Sequence, residues 1–299
     1  MKNSIVLLLL ISCLILSFTY ANAQSNLSEF PVKYEELTTP EFIEAVKKSG
    51  ATCIIPIGVL EKHGPHLPLG TDVIDAREIA LRAAKKEYSI VFPFYFFGQI
   101  FEAKHQPGTI AYSTDLLWQV LQETCDELRR NGIKNIVLLN GHGGNNHFLR
   151  YFCQGQLEKK RDYAVILFEA GWDAETEEKI TALRKTTTGG HADEVETSMI
   201  LSHRPDLVHV DRGSDQSGED QDRLAGFSSG HAGIWWYAKY PNHYAGDGSQ
   251  ASKEIGDLVI SSRANQLAGL IKTLKSDNRI HELQEQFFSE SENPLETDQ

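Results

Sequence analysis

Residues 24–275 are predicted to form one α/β domain, a three-layer α/β/α sandwich built on a mostly parallel sheet. Three features of the sequence point there. Short apolar runs alternate with amphipathic stretches, the pattern of a parallel sheet covered by helices on both faces. Glycine-bearing loops follow two of the apolar runs, and neither an internal repeat nor a linker divides the chain. At 299 residues and 41% hydrophobic content, there is enough apolar side chain for one large core.

TPEFIEAVKKSG reads as a short helix with Thr39 as cap and Gly50 as stop, and ATCIIPIG as a buried strand. TDVIDAREIALRAAKKE, residues 71–87, has apolar residues at helical spacing, Thr71 as a candidate N-cap and Lys85 and Lys86 near its C-terminus. Asp75 and Glu78 are expected on its exposed face. SIVFPFYF is the second strand. STDLLWQVLQETCDELRRNG is a helix capped by Ser113 or Thr114, and KNIVLLNGH a strand that runs into a glycine loop. NNHFLRYFCQGQLEKK is helical, DYAVILFEAG is a further strand, and DEVETSMILSHR is the one clear helix between 172 and 248. A last helix is expected over roughly 249–275, followed by a mobile polar tail, 276–299.

The N-terminus, MKNSIVLLLLISCLILSFTYANAQ, places a lysine before an apolar run and ends in Ala21-Asn22-Ala23, the small-x-small pattern of a signal-peptidase site. Residues 1–23 are therefore read as a signal peptide. The run of roughly 16 apolar residues falls short of the roughly 20 that span a bilayer. Processing at Cys13 as a lipoprotein is the competing reading. The net charge of -12 argues against nucleic acid or an anionic membrane as partner and leaves a small molecule or peptide. Of four cysteines, Cys53, Cys125 and Cys153 lie beyond the signal, an odd number without CxxC spacing, and read as small core residues.

The chemistry is concentrated in three loops. GVLEKHGPHLPLGTD, residues 58–72, sets out Glu61, His63, His66 and Asp72 among helix-breaking glycines and prolines. Glu61 and His63, two apart on extended chain, point to one side, and Asp72 at the start of the next helix can turn back toward them. NGHGGNNH supplies His142, and TTGGHADEVETS brings His191, Asp193, Glu194 and Glu196 to a helix start. Ligands bind beyond the carboxyl ends of parallel strands, so the first two loops should converge. Mixed imidazole and carboxylate donors suit zinc, manganese or iron, and a carboxylate can bridge two ions. Each residue also has a plainer reading as a solvated charge or loop-ordering donor, and GHGGNN as a turn or anion nest. His203 and His209 read as structural.

The motifs EKHGPHLPLGTD, NGHGGN at 140–145, HADEVETS and, more weakly, AGDGSQASKEIG stand in an order that resembles the creatininase (creatinine amidohydrolase) family over about residues 52–256. The resemblance implies a three-layer sandwich, two metal ions and often a homohexamer. Carried over by position, it makes Glu61 and His142 ligands of one ion, His63 a ligand of the other, Asp72 the bridge and His191 the proton shuttle. It also places Glu196 near the second ion.

Two departures stand out. Creatinine hydrolases carry Tyr-Glu, with the Glu a ligand, where this chain has Gly143 and Gly144, and Glu196 is the natural replacement. They also carry a Trp before the third motif, where this chain has Thr186, Thr187 and Thr188. Trp172, Trp235 or Trp236 are candidates for the missing aromatic wall. These departures argue against creatinine as substrate while leaving amide hydrolysis in place.

The expectation is thus an exported, periplasmic or secreted, homo-oligomeric amidohydrolase with two divalent ions (Zn, Mn or Fe). Its substrate would be a cyclic amide, formamide or small peptide-like molecule, with His105, Gly143 and Gly190 touching it. A non-catalytic binding protein that keeps the same donors is the alternative.

Overall fold

A computed structural model describes residues 30–169, 173–227 and 229–297. The predicted signal peptide, Cys13 and Trp172 lie outside the described residues. The unit described below begins at Val32. Before it, only Phe30 and Pro31 are described.

Four parallel strands, β1 (Thr52–Ile57), β2 (Ile90–Val91), β3 (Asn135–Asn140) and β4 (Ala164–Phe168), form the sheet in the order β2-β1-β3-β4. Every residue of β1 is buried, as a central strand covered on both faces requires. β2 is shorter than the 89–96 run predicts. Phe92 N–H still donates to Ile54 O, but the next bond to β1 runs from Tyr95 N–H to Pro56 O, three residues against two, so the register slips after Val91 and the pairing resumes only at the Ile57–Tyr95 bridge.

On one face pack α2 (Thr71–Lys86), α5 (Ala174–Leu183), α6 (Glu194–His203) and α8 (Lys253–Ser276). Their Ala76, Ile79, Ala80, Ile180, Met199, Ile255, Val259, Ile260 and Leu267 close over Ile54, Val91, Val137 and Leu139. Residues alternate across a strand, so Cys53, Ile55 and Ile57 turn to the opposite face. On that side α4 (Asn146–Gly155) packs on β4, and Trp118 of α3 (Thr114–Arg130) meets Phe152 of α4 edge to face. The three layers match the expected class.

Several local readings are corrected. α1 (Thr39–Lys48) is capped by Thr38 rather than Thr39, in a capping box with Glu41. Gly70 precedes α2, and Thr71 is its first residue, with Oγ1 donating to Pro68 O. Asp75 is buried rather than exposed, at 2.7 Å from His203 Nε2. Helix α5, capped by Asp173, and the short α7 (Trp235–Lys239) lie in the stretch that showed one clear helix by pattern. The tail is helical over α9 (Arg279–Glu292), where Phe288 is buried and Gln284 donates to Tyr163 O. Two short antiparallel strands, β5 (Gly189–His191) and β6 (Ala245–Gly246), hold His191 beside the 243–246 segment.

Candidate metal centre

The strand order places the site. From β1 the chain runs to β2 on one side and then returns to β3 on the other, so β1 and β3 flank a switch point, with Ile57 opposite Asn140. The loops that leave their carboxyl ends are neighbours at such a point. The first is closed by Glu61 N–H to Leu69 O and by Leu67 N–H to His63 O. Gly58 lets it turn under α2: a Cβ there would lie 2.6 Å from Asp72 Cβ and from Val73 N. In the second loop, Asn140 Oδ1 accepts from His142 N–H and thereby aims the imidazole back over β1.

Glu61, His63, Asp72 and His142 converge and are all buried. Asp72 Oδ1 is 2.9 Å from His63 Nε2, and Asp72 Oδ2 is 3.1 Å from His142 Nδ1, so its two oxygens face two different imidazoles. Glu61 Oε1 is 2.8 Å from His142 Nδ1 and 3.9 Å from His63 Nε2. Two donor sets lie within ligand reach, Glu61-Asp72-His142 and Glu61-His63-His191. Glu61 Oε1, Asp72 Oδ2 and His142 Nε2 are buried without a hydrogen-bond partner. Orphaned carboxylate oxygens beside imidazoles are costly unless a cation completes them, so the donors fit a pair of divalent ions.

The electrostatics agree. Burial pushes the Glu61 carboxyl up, but the His142 ring beside it outweighs this and holds the group well below the usual carboxylate range. Burial lowers His63, yet Asp72 and Glu61 raise it to about 10. His142 is likewise raised, by Glu61 and Asp72 against the effect of burial. In each case the proton on the imidazole compensates the carboxylates, the role a metal ion would take.

His191 sits differently. Its Nε2 is 2.7 Å from Lys62 O, so that nitrogen carries the hydrogen and donates, leaving Nδ1 as the free lone pair. Nδ1 faces Glu196 Oε2 at 3.8 Å. Burial drives the His191 imidazole down to about 3, which keeps it neutral. Glu196 accepts from Ala192 N–H, and Ala192 has a left-handed φ of 55°. Glu196 belongs to neither convergent donor set among the described residues.

His66 is buried against Thr197 Oγ1 at 2.7 Å, tying the first loop to α6 rather than touching the donors. Asp193 caps α6, and Glu194 accepts the Lys185 and Thr186 N–H groups, so both are structural. His105 donates or accepts at Nε2 only toward Pro241 O, 2.7 Å away, and that carbonyl makes it a donor.

Two residues near the centre, His243 and Glu102, were not singled out by sequence, and Trp236, a candidate for the aromatic wall, has a hydrogen-bonding role that the sequence did not suggest. His243 Nε2 hydrogen-bonds Glu61 Oε2, Trp236 Nε1 donates to His243 Nδ1 at 2.8 Å, and Glu102 Oε1 lies 3.9 Å from His142 Nε2. The only available signal for His243 was its place just before the Gly246-Asp247 motif. A cavity of about 930 Å³ opens over the centre, with Phe101, Phe148, Ile234, Trp235, Trp236 and Tyr237 along its apolar wall. His105, Gly143 and Gly190 are among its lining residues. A second cavity, about 800 Å³ and bearing Arg150, Arg184 and Arg263, shares His142, Gly143, Gly190 and Glu196 with it.

The family model described as creatininase, creatinine amidohydrolase, matches residues 35–271. The chain belongs to the creatininase family. Creatinine amidohydrolase of Pseudomonas putida is 28% identical over 194 residues, 59% of this chain and 74% of that protein. The mycofactocin precursor peptide peptidase of Mycobacterium ulcerans is 30% identical over 170 residues, covering 53% of this chain and 61% of the peptidase. The chain thus spans less than two thirds of that relative. A solved creatininase superposes with a TM-score of 0.71 at 24% identity, over 82% of this chain and 98% of the other, which establishes the fold. Solved creatininases include a zinc–zinc form and a manganese form.

Proposed function

We propose that this chain is a dinuclear metal-dependent amidohydrolase that cleaves a C–N bond in a small amide. The observation that carries the reading is the division of Asp72, one carboxylate oxygen toward His63 and the other toward His142, beside orphaned Glu61 Oε1. Glu61, Asp72 and His142 would hold one ion, and His63 with Asp72 the other. When bound, such ions supply a hydroxide nucleophile near neutral pH and Lewis-acid polarisation of the amide carbonyl.

The chain's own groups would do the rest. His243 clamps Glu61 Oε2 and leaves Oε1 to the centre. His191, anchored through Nε2 to Lys62 O, offers Nδ1 to take a proton and deliver it to the leaving nitrogen. The aromatic wall excludes water and takes up the body of the substrate.

A volume of about 930 Å³ is at the upper end of small-molecule pockets, at roughly 300–1,000 Å³. Among the expected substrates this favours an amide with an apolar or aromatic group, such as a small peptide-like molecule, over bare creatinine. The relative that cleaves a precursor peptide supports the same preference. Export through the N-terminal 23 residues and assembly as a homo-oligomer complete the proposal. The first predicts a mature N-terminus at Gln24, and light scattering measures the second.

The test is elemental analysis of purified protein together with a panel of creatinine, N-formyl compounds and aromatic dipeptides. Two ions per chain with release of amine from the apolar amides is the expected result. Two tightly held ions with no turnover on the whole panel would favour the binding-protein alternative.

A further inference from the structure

A metal-binding imidazole needs its second nitrogen oriented, and such ligands usually donate that N–H to a carboxylate or carbonyl. His142 presents Nδ1 to Glu61 and Asp72, so its Nε2 must carry the proton when Nδ1 binds an ion. That Nε2 is buried, and it has no hydrogen-bond partner. The nearest acid to it is Glu102, from the loop after β2, with Oε1 3.9 Å away and the carboxylate on the wall of the cavity.

The space between the two is kept open by residue 144. A Cβ built on Gly144 would lie 2.4 Å from His142 Nε2 and 2.5 Å from Glu102 Oε1, inside the contact distance of both. The two loops are also fastened together on either side of this point. Gln99 N–H donates to Asn145 Oδ1 at 2.8 Å, Gln99 Nε2 to Gly144 O at 3.3 Å, and Phe101 N–H to Gln99 Oε1 at 2.6 Å. Glu102 is therefore carried on a loop whose backbone is tied to the His142 loop, and a shift of roughly 1 Å closes the gap to hydrogen-bond distance.

We propose that Glu102 is the positioning residue of His142: it accepts the Nε2 proton, fixes the ring with Nδ1 toward Glu61 and Asp72, and does so through the space that glycine at 144 leaves. This rests on the reading that the centre holds metal ions. The residue touches neither substrate nor ion.

The experiment measures metal affinity by chelator competition in the full chain, together with thermal unfolding of the metal-stripped protein. Glu102→Ala and Gly144→Ala should each weaken one of two ions 10- to 100-fold. Glu102→Gln, whose carbonyl can still accept the Nε2 proton, should restore most of that loss. The double variant Glu102→Ala/Gly144→Ala should bind no worse than either single variant, because both remove the same contact. Unfolding of stripped Glu102→Ala should match the stripped parent. Unchanged affinity in Glu102→Ala, additive losses in the double variant, or, in Glu102→Ala, a loss of metal matched by a loss of stripped-state stability would each overturn the proposal. Absence of metal from the parent protein would instead overturn the underlying reading.

Discussion

Trp236 donates its indole N–H to His243 Nδ1 at 2.8 Å, and this one bond fixes the tautomer of the histidine that holds Glu61. An indole nitrogen can only donate, so Nδ1 is the bare nitrogen and Nε2 carries the hydrogen given to Glu61 Oε2. His243 reaches this position with a left-handed φ of 55°, a conformation that non-glycine residues adopt at a cost.

The first prediction follows from that chain of donors. Trp236→Phe keeps the aromatic wall but frees His243 to rotate or change tautomer. Metal affinity should fall about 10- to 100-fold, the scale of lost outer contacts. Glu61→Ala should fall further, because a direct donor is gone. Chelator competition ranks the two, and an unaffected Trp236→Phe would show that Glu61 does not need its clamp.

Asp72 and His191 separate binding from turnover. Asp72 faces both imidazoles, so Asp72→Ala should lose both ions. His191→Ala should keep both ions and lose turnover, since its Nε2 is committed to Lys62 O and its role lies at Nδ1. Metal content of the two purified variants decides, and full metal in Asp72→Ala would remove the bridge.

The pH dependence has a definite sign. In the metal-free site His63 is raised to about 10, by Asp72 and Glu61 against burial. An ion needs the neutral ring, so binding must displace a proton, and affinity should rise with pH up to about 10. Calorimetry in buffers of different ionisation enthalpy should detect that released proton. Because the folded value lies above the ordinary 6.5, the stripped protein keeps this stabilisation below pH 6.5 and loses it as pH climbs through 10. Metal-loaded protein should not show that decline in thermal midpoint.

The buried Asp75–His203 contact is a structural joint between α2 and α6. Burial raises Asp75 to about 6 despite its histidine partner. His203→Ala deprives that carboxyl of its 2.7 Å partner and should cost about 1–3 kcal/mol. Urea unfolding measures it, and metal content should stay unchanged because neither residue belongs to the two donor sets.

The layers of the fold were legible because β1, β3 and β4 are continuous apolar runs between amphipathic helices. β2 was overread because its register against β1 slips by one residue between Phe92 and Tyr95 inside an apolar run, and Asp75 was misplaced because helical periodicity does not reveal a histidine arriving from α6. The convergence of Glu61, His63, Asp72 and His142 was legible because two loops at adjacent strand ends carry them. His243 and Glu102 come from segments 182 and 40 residues away from the donors they touch, Glu61 and His142, and only the fold brings them there. Glu196 was read from its motif, but its carboxylate is turned to Ala192 N–H and His191.

The central claim is a pair of ions divided by Asp72. Anomalous scattering from crystals of protein purified with its native metal tests it directly. Two peaks roughly 3.5–4 Å apart, one beside His142 and one beside His63 with Asp72 between them, are the expected result. A single peak, or none within reach of Asp72, would contradict the account.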